Sequence, residues 1–252
     1  MRFDIVTIFP AMFDGPLSSS IIGRAREKGL LEINVHDLRK WTYDKHHVTD
    51  DYPYGGGAGM VMKVEPFASA VEELKTQNPG AKVALMTPGG KLFNQRMAQD
   101  FSSLPGLIIL CGRYEGVDER VSGLFCDMEV SIGDYVLTGG EIPAMVMLDC
   151  VARLVPGVVG EEASIVHESH SDSLLEHPHY TRPAEFRDAR VPEVLLNGDH
   201  KKIEAWRREE AIKKTASVRP DLLAKAVLTE KERVMAGDFM EKARRRDGDE
   251  RA

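Results

Sequence analysis

Residues Ser131–Glu141 read SIGDYVLTGGE and run without a break into the apolar stretch Ile142–Val155. Before them, Met128–Ile132 has the apolar, β-branched character of a strand. After them, Pro143 suits the first turn of a helix, where a missing N–H is no loss. A loop that leaves a strand, reverses on Gly133, Gly139 and Gly140 and enters a helix brings bare backbone N–H and C=O groups against a small ligand. Taken alone, the glycines favour no more than a tight turn, and it is the residues between them that point to a ligand. Interleaved with them, Asp134, Tyr135 and Thr138 supply an acid, an aromatic ring and a hydroxyl, a mix suited to a ligand with both a flat ring and polar groups. The spacing is neither GxGxxG nor GxxxxGK followed by Ser or Thr, so dinucleotide and triphosphate cradles are poorly supported.

Working outward, the apolar run Leu107–Cys111 predicts a strand covered on both faces, as in a parallel sheet. It leads into Gly112–Arg120, GRYEGVDER. Lys82–Met86 predicts another strand, ending in a turn signature, Thr87-Pro88-Gly89-Gly90. Ligands of open α/β sheets bind outside the carboxyl ends of the strands, and three such loops, 86–90, 112–116 and 131–140, share that position. Arg2–Phe9, a helix capped near Ser18–Ser20 and running to Gly29, and Leu31–His36 predict a βαβ start. Glu65–Gln77 and about Asn94–Phe101 predict further helices.

Residues 40–63, KWTYDKHHVTDDYPYGGGAGMVMK, are too long and too glycine-rich for a plain connection of about 2–6 residues. His46 and His47 read as a solvated pair, with no further metal ligand at a usual spacing. Gly157–Ser173 is polar and serine-rich and reads as a linker. From about Pro192 the chain is mainly helical; KKIEAWRREEAIKK places Lys201, Lys202, Arg207, Arg208, Lys213 and Lys214 around an apolar stripe of Ile203, Trp206 and Ile212. The tail from about Glu241 reads as frayed.

A chain of 252 residues, 42% hydrophobic, is long enough for one substantial core and a second, smaller unit. No apolar run approaches the ~20 residues of a membrane helix, and Asp4 interrupts any signal-peptide core in MRFDIVTIFP, so a cytoplasmic protein is expected. Cys111, Cys126 and Cys150 form neither a disulfide frame nor a zinc pattern and read as small hydrophobes. Residues 171–252 carry 18 Lys+Arg against 17 Asp+Glu, whereas residues 1–170 carry 15 against 23. A polyanionic partner must therefore be held by local patches and not by the field of the whole chain.

CGRYEGVDER at 111–120, SIGDYVLTGGE at 131–141 and PHYTRP at 178–183, with DKHHVTDD at 44–51 and PYGGGAGM at 53–60, closely resemble the bacterial tRNA (guanine-N1)-methyltransferase family, TrmD. The likeness extends from Phe3 to about Val227. It implies an α/β fold: a trefoil-knotted methyltransferase domain of the SPOUT class with a parallel sheet over residues 1–160, a flexible linker over 161–173, and a smaller, mainly helical tRNA-binding domain over 174–252. It also implies a homodimer that uses S-adenosylmethionine to methylate N1 of the guanine at tRNA position 37.

Carried over by position, the donor site comprises Met86, Thr87 and Pro88; Gly112, Tyr114, Glu115 and Gly116; Ser131, Ile132, Gly133, Asp134, Tyr135, Val136, Leu137, Thr138, Gly139 and Gly140; and Pro143. The tRNA contacts are Asp50, Gly55, Gly56, Gly57 and Gly59 in the amino-terminal part and Lys201, Lys202, Trp206 and Arg207 in the carboxyl-terminal part. Arg153, which by itself only complements a helix dipole, takes the family's place opposite the guanine 6-oxygen. The family's general base is an aspartate, and this chain has Glu168 at that position, an arm one methylene longer; Asp172, then His167 and His170, stand behind it. No metal ligands are assigned, and any magnesium is expected to act with the RNA.

Two other classes of protein remain open on the residues. A non-catalytic RNA-binding protein would keep the basic helices without needing intact donor loops, and Glu168 in place of aspartate favours it. A nucleotide-dependent oxidoreductase lacks both the glycine fingerprint and the acid about 20 residues beyond it.

Overall fold

The computed structural model describes residues 1–160 and 168–249, and the chain divides into two compact units, Met1–Gly160 and Glu161–Ala252. In the first, the elements are β1 (Arg2–Thr7), α1 (Asp14–Ser18), α2 (Ser20–Glu27), β2 (Glu32–Asp37), β3 (Asp50–Asp51), β4 (Val61–Met62), α3 (Val64–Gln77), β5 (Lys82–Leu92), α4 (Gln95–Ser102), β6 (Gly106–Cys111), α5 (Glu119–Phe125), β7 (Met128–Ser131) and α6 (Glu141–Ala152). Five strands form one sheet in the order β2-β1-β6-β5-β7, and every neighbouring pair is parallel.

The sheet is covered on both faces, as the unbroken apolar strand 107–111 requires. Phe3, Ile5, Ala84, Leu107 and Ile109 pack with Met147, Leu148 and Val151 of α6 on one side. Val6, Val83, Leu85, Ile108 and Leu110 pack with Phe67, Val71 and Leu74 of α3 on the other. Alternate residues of each strand thus feed opposite cores, as the period-2 pleat dictates.

One expected turn is absent. Thr87-Pro88-Gly89-Gly90 lies within β5, because the chain bulges out after Met86 and returns, so that both Met86 and Lys91 pair with Val130 of β7. A Cβ at Gly90 would sit 2.4 Å from the Val130 nitrogen, so glycine is what lets the strand re-pair there.

Asp4, fully buried in β1, receives hydrogen bonds from Arg2 (2.8 and 3.0 Å), Asn34 (3.3 Å) and Asn78 (3.2 Å) and faces His36 at 2.9 Å. Burial pushes its pKa up, but the bonds from His36, Arg2 and Asn78 outweigh this and hold it at about 2. A folded-state pKa below the unfolded value of about 3.9 stabilises the fold above that value, and this contribution is lost as pH falls towards 2. Acid titration of unfolding should therefore show a steeper loss of stability between pH 4 and 2 in wild type than in Asp4→Asn; equal slopes would remove Asp4 from the acid response.

The second unit contains the helices His200–Val218, Pro220–Leu223 and Glu230–Asp249 and a two-stranded pair, Glu185–Phe186 with Ala189–Arg190. Its core gathers Leu174, Ile212 and Ala236 with Leu223, Met235 and Phe239 around them. The tail expected to fray from about Glu241 is helical as far as Asp249. No described helix is long and apolar enough to cross a membrane.

Candidate active site

A cleft of about 310 Å³ opens where β5, β6 and β7 reach their carboxyl ends, counting β5 to its bulge. Met86, Thr87 and Pro88 reach it from the bulge, and Gly112, Tyr114, Glu115 and Gly116 from the loop after β6. Ser131, Ile132, Gly133 and residues 135–140 line it from the loop after β7, and Pro143 from α6. Of the donor-site candidates only Asp134 is not on its wall.

The loops are fastened to one another by backbone bonds. Gly140 N–H donates to the Gly112 carbonyl at 2.8 Å, and Arg113 and Gly139 form an isolated antiparallel bridge. Tyr135 folds back so that its hydroxyl donates to the Ile132 carbonyl at 3.2 Å. Tyr114 holds φ at +59°, a conformation a bulky residue adopts at a strain of about 1–3 kcal/mol and which is concentrated at functional sites. A Cβ on Gly140 would meet the Cys111 Cα at 2.8 Å and the Gly112 nitrogen at 2.9 Å. Gly140→Ala must therefore push two backbones apart, at a cost of about 1–3 kcal/mol. Urea unfolding should record that loss, and an unchanged midpoint would contradict the close approach.

Beneath the loops lies a pair that the sequence reading passed over. Glu141 is fully buried; Thr7 Oγ1 donates to one of its oxygens at 2.6 Å and Arg113 Nε to the other at 2.8 Å. Arg113 Nη1 also donates to the Thr138 carbonyl at 3.1 Å, and its guanidinium lies 4.6 Å from the centre of the Phe9 ring. The signal available was an arginine set between Gly112 and Gly116, but its partner is 28 residues away. Glu115, Glu119 and Glu129 also line the cleft, so its wall is rich in carboxylates.

The glycine loop of residues 55–59 docks on the same structure. Glu115 N–H donates to the Met60 carbonyl at 3.0 Å and Met62 N–H to the Gly116 carbonyl at 2.9 Å. Gly55, Gly56, Gly57 and Gly59 all have positive φ, and a Cβ on Gly59 would strike Glu115 at 2.5 Å. Asp50 pairs with Met62 across β3 and β4. Tyr52 and Tyr54, flanking the loop, are 81% and 100% exposed. His46 and His47 are exposed, and Asp44 accepts the backbone N–H groups of His46 and Val48, as in a solvated turn.

Arg153 is the carboxyl-terminal cap of α6 and is half-buried. In the second unit, Glu168 is half-buried and its carbonyl accepts from Ser171 N–H at 3.1 Å; Asp172 and His170 are exposed. His167 and residues 161–166 of the expected linker lie outside the described residues. Lys202 pairs with Asp199, Arg207 with Glu204, Arg208 with Glu232 and Lys213 with Glu210. Lys201 and Lys214 are exposed and have no ion-pair partner among the described residues. Trp206 is half-buried, near His177 and Tyr180. Cys111 is buried and Cys126 and Cys150 half-buried; burial raises all three thiols, Cys126 to about 12, which disfavours the thiolate.

A concave site at the carboxyl ends of a parallel sheet, walled by glycine loops and carboxylates, defines an α/β protein with a cleft in the place where such sheets take small ligands. The chain belongs to the tRNA (Guanine-1)-methyltransferase TrmD family, whose model matches residues 1–225. It is 58% identical over 233 residues to a tRNA (guanine-N(1)-)-methyltransferase of Geotalea uraniireducens, covering 92% of this chain and 94% of that one. Similar proteins of the same name occur in Chloroflexus aggregans (58% over 227 residues, 90% and 89% covered) and Dictyoglomus turgidum (55% over 232 residues, 92% and 94% covered).

Proposed function

We propose that this chain methylates N1 of the guanine at tRNA position 37, taking the methyl group from S-adenosylmethionine held in the cleft between the three loops. Family membership carries the reaction class, methylation of a tRNA guanine at N1. The observation that carries the donor assignment is the cleft itself. Its volume of about 310 Å³ falls at the lower end of small-molecule sites, about 300–1,000 Å³. Its wall combines apolar Ile132 and Leu137, the Tyr135 ring and the backbone at Gly133, Gly139 and Gly140 with the carboxylates Glu115, Glu119 and Glu129. Apolar and backbone surface suits a purine, and the carboxylates suit a cationic sulfonium.

S-adenosylmethionine supplies, when bound, a methyl group open to nucleophilic attack. The protein's part is to make N1 of guanine a nucleophile. N1 carries a proton, and its lone pair is a poor nucleophile until that proton leaves. Glu168, at the family's base position, takes it, an effect worth about 10²–10⁴-fold. Arg153 stabilises the charge that moves onto the 6-oxygen. Holding guanine in line with the methyl group supplies much of the remaining acceleration, and no covalent enzyme intermediate is needed.

On the RNA side, the glycine loop with Asp50 admits the backbone close to the target base, and exposed Tyr52 and Tyr54 offer rings for stacking on unpaired bases. Lys201, Lys202, Trp206 and Arg207 form the contact in the second unit; of its cations, Lys201 has no acid to give up among the described residues. The reading includes the trefoil knot, a cytoplasmic location, and magnesium acting with the RNA and not on a protein site. It also includes a homodimer: Ile142 and Val146, one helical turn apart on α6, are 47% and 39% exposed, an apolar face suited to a second copy.

The test is methyl transfer to a tRNA transcript with guanine at position 37, located by primer extension, since a methyl group on N1 blocks base pairing. A stop at that guanine, absent when adenine replaces it, is expected. Binding of donor and tRNA without transfer would leave an RNA-binding protein instead.

A further inference from the structure

Glu176, His177 and His179 lie on a stretch without regular secondary structure, yet their ligand atoms all fall within 4.8 Å of one another. His179 Nε2 is 3.0 Å from Glu176 Oε1, and the two imidazole rings are 4.7 Å apart at their centres. The stretch is fastened on its amino-terminal side. Leu174 sits in the small core, Leu175 N–H donates to Thr215 Oγ1 at 2.8 Å, and Glu176 N–H donates to Ser169 Oγ at 3.0 Å. The backbone is therefore held as far as Glu176 before any ligand arrives.

We propose that these three residues bind one divalent transition-metal ion of the zinc class. Two imidazoles and one carboxylate are a borderline donor set that suits Zn²⁺ or Co²⁺, whereas Mg²⁺ takes oxygen ligands. Metal–ligand bonds of 2.0–2.2 Å in a tetrahedron put neighbouring donors about 3.4 Å apart. One pair is already at 3.0 Å, and side-chain rotation brings in the third. The tautomer at His177 is also set: its Nδ1 lies 3.2 Å from the Pro178 carbonyl, which can only accept, so Nδ1 carries the proton and Nε2 the lone pair. Three protein ligands leave a fourth position for water or an anionic oxygen. The competing account, an exposed carboxylate–histidine ion pair worth about 0–1 kcal/mol, explains the 3.0 Å contact but not the convergence of the second ring. The proposal does not depend on the methyl-transfer reading.

Trp206, 6.3 Å from the His177 ring, provides a readout separate from activity. The chain has two tryptophans, and the other, Trp41, belongs to the first unit, where its Nε1 donates to Glu73. Adding Co²⁺ to the full-length protein without a histidine tag should quench tryptophan fluorescence to saturation at one equivalent. Zn²⁺ should reverse the quenching and millimolar Mg²⁺ should not. Trp41→Phe should retain the effect and Trp206→Phe should lose it. Glu176→Gln and His179→Asn should each weaken Co²⁺ at least tenfold, while the double variant His46→Asn/His47→Asn keeps wild-type affinity. No saturable quenching up to 100 µM Co²⁺, or an affinity unchanged in His179→Asn, overturns the site; so does loss of affinity in the His46/His47 variant.

Discussion

Glu168→Gln should lower single-turnover methyl transfer by about 10²–10⁴-fold while leaving donor affinity within a factor of two. The amide keeps the size and one hydrogen-bonding oxygen of the side chain but cannot accept the N1 proton as a carboxylate does. The expected loss corresponds to about 2.7–5.5 kcal/mol of barrier. Donor affinity stays because the cleft wall is built by residues 85–88, 112–117, 119, 122, 129–133, 135–140 and 143, and Glu168 is not among them. Asp172→Asn should leave the rate within a few-fold. Glu168→Asp, which restores the shorter arm usual in the family, should keep most of the activity if the backbone adjusts by the length of one methylene. A rate unchanged in Glu168→Gln but lost in Asp172→Asn would move the base to Asp172, four residues further on.

What could be read from the sequence followed physical contrast. Leu107–Cys111 is apolar at every position, and the structure buries all of it between two cores. Ser131–Glu141 announces its loop by three glycines, and Ser131–Gly140 lines the cleft except at Asp134. Other features were hidden because their causes are tertiary. Pro88, Gly89 and Gly90 have turn chemistry, yet pairing with Val130 on both sides of the bulge keeps the chain in β5. The charged tail has no apolar stripe strong enough to separate a helix from coil by pattern, but Ala236 and Phe239 dock the helix that carries it. The sequence places acids among the basic residues of His200–Val218 without saying which cations they take; in the structure Lys202, Arg207 and Lys213 each pair with an acid three residues earlier. Glu141 read as the end of a glycine loop, because nothing local tells that Thr7 and Arg113 will close over it.

That closure sets the second large effect. Arg113→Met should destabilise the fold by about 3–5 kcal/mol, the usual cost of removing one partner of a buried ion pair. Against a total of about 5–15 kcal/mol, such a loss would be plain in urea unfolding. The reason is local: Glu141 has no exposure, and without the guanidinium its charge keeps only the Thr7 hydroxyl among the described side chains. The double variant Arg113→Met/Glu141→Leu removes the charge as well and should regain most of the stability, since apolar replacements of whole buried pairs are often neutral or better. Donor affinity should not return with it. Arg113 Nη1 ties down the Thr138 carbonyl, and the Arg113–Gly139 bridge brings the two glycine loops to one spacing. Calorimetric titration with S-adenosylmethionine therefore separates the two roles: stability recovered with affinity still low assigns the guanidinium to positioning the cleft wall. If affinity recovers along with stability, the pair serves the fold alone. A single variant within 1 kcal/mol of wild type would show that Glu141 is not held by its charge partner at all.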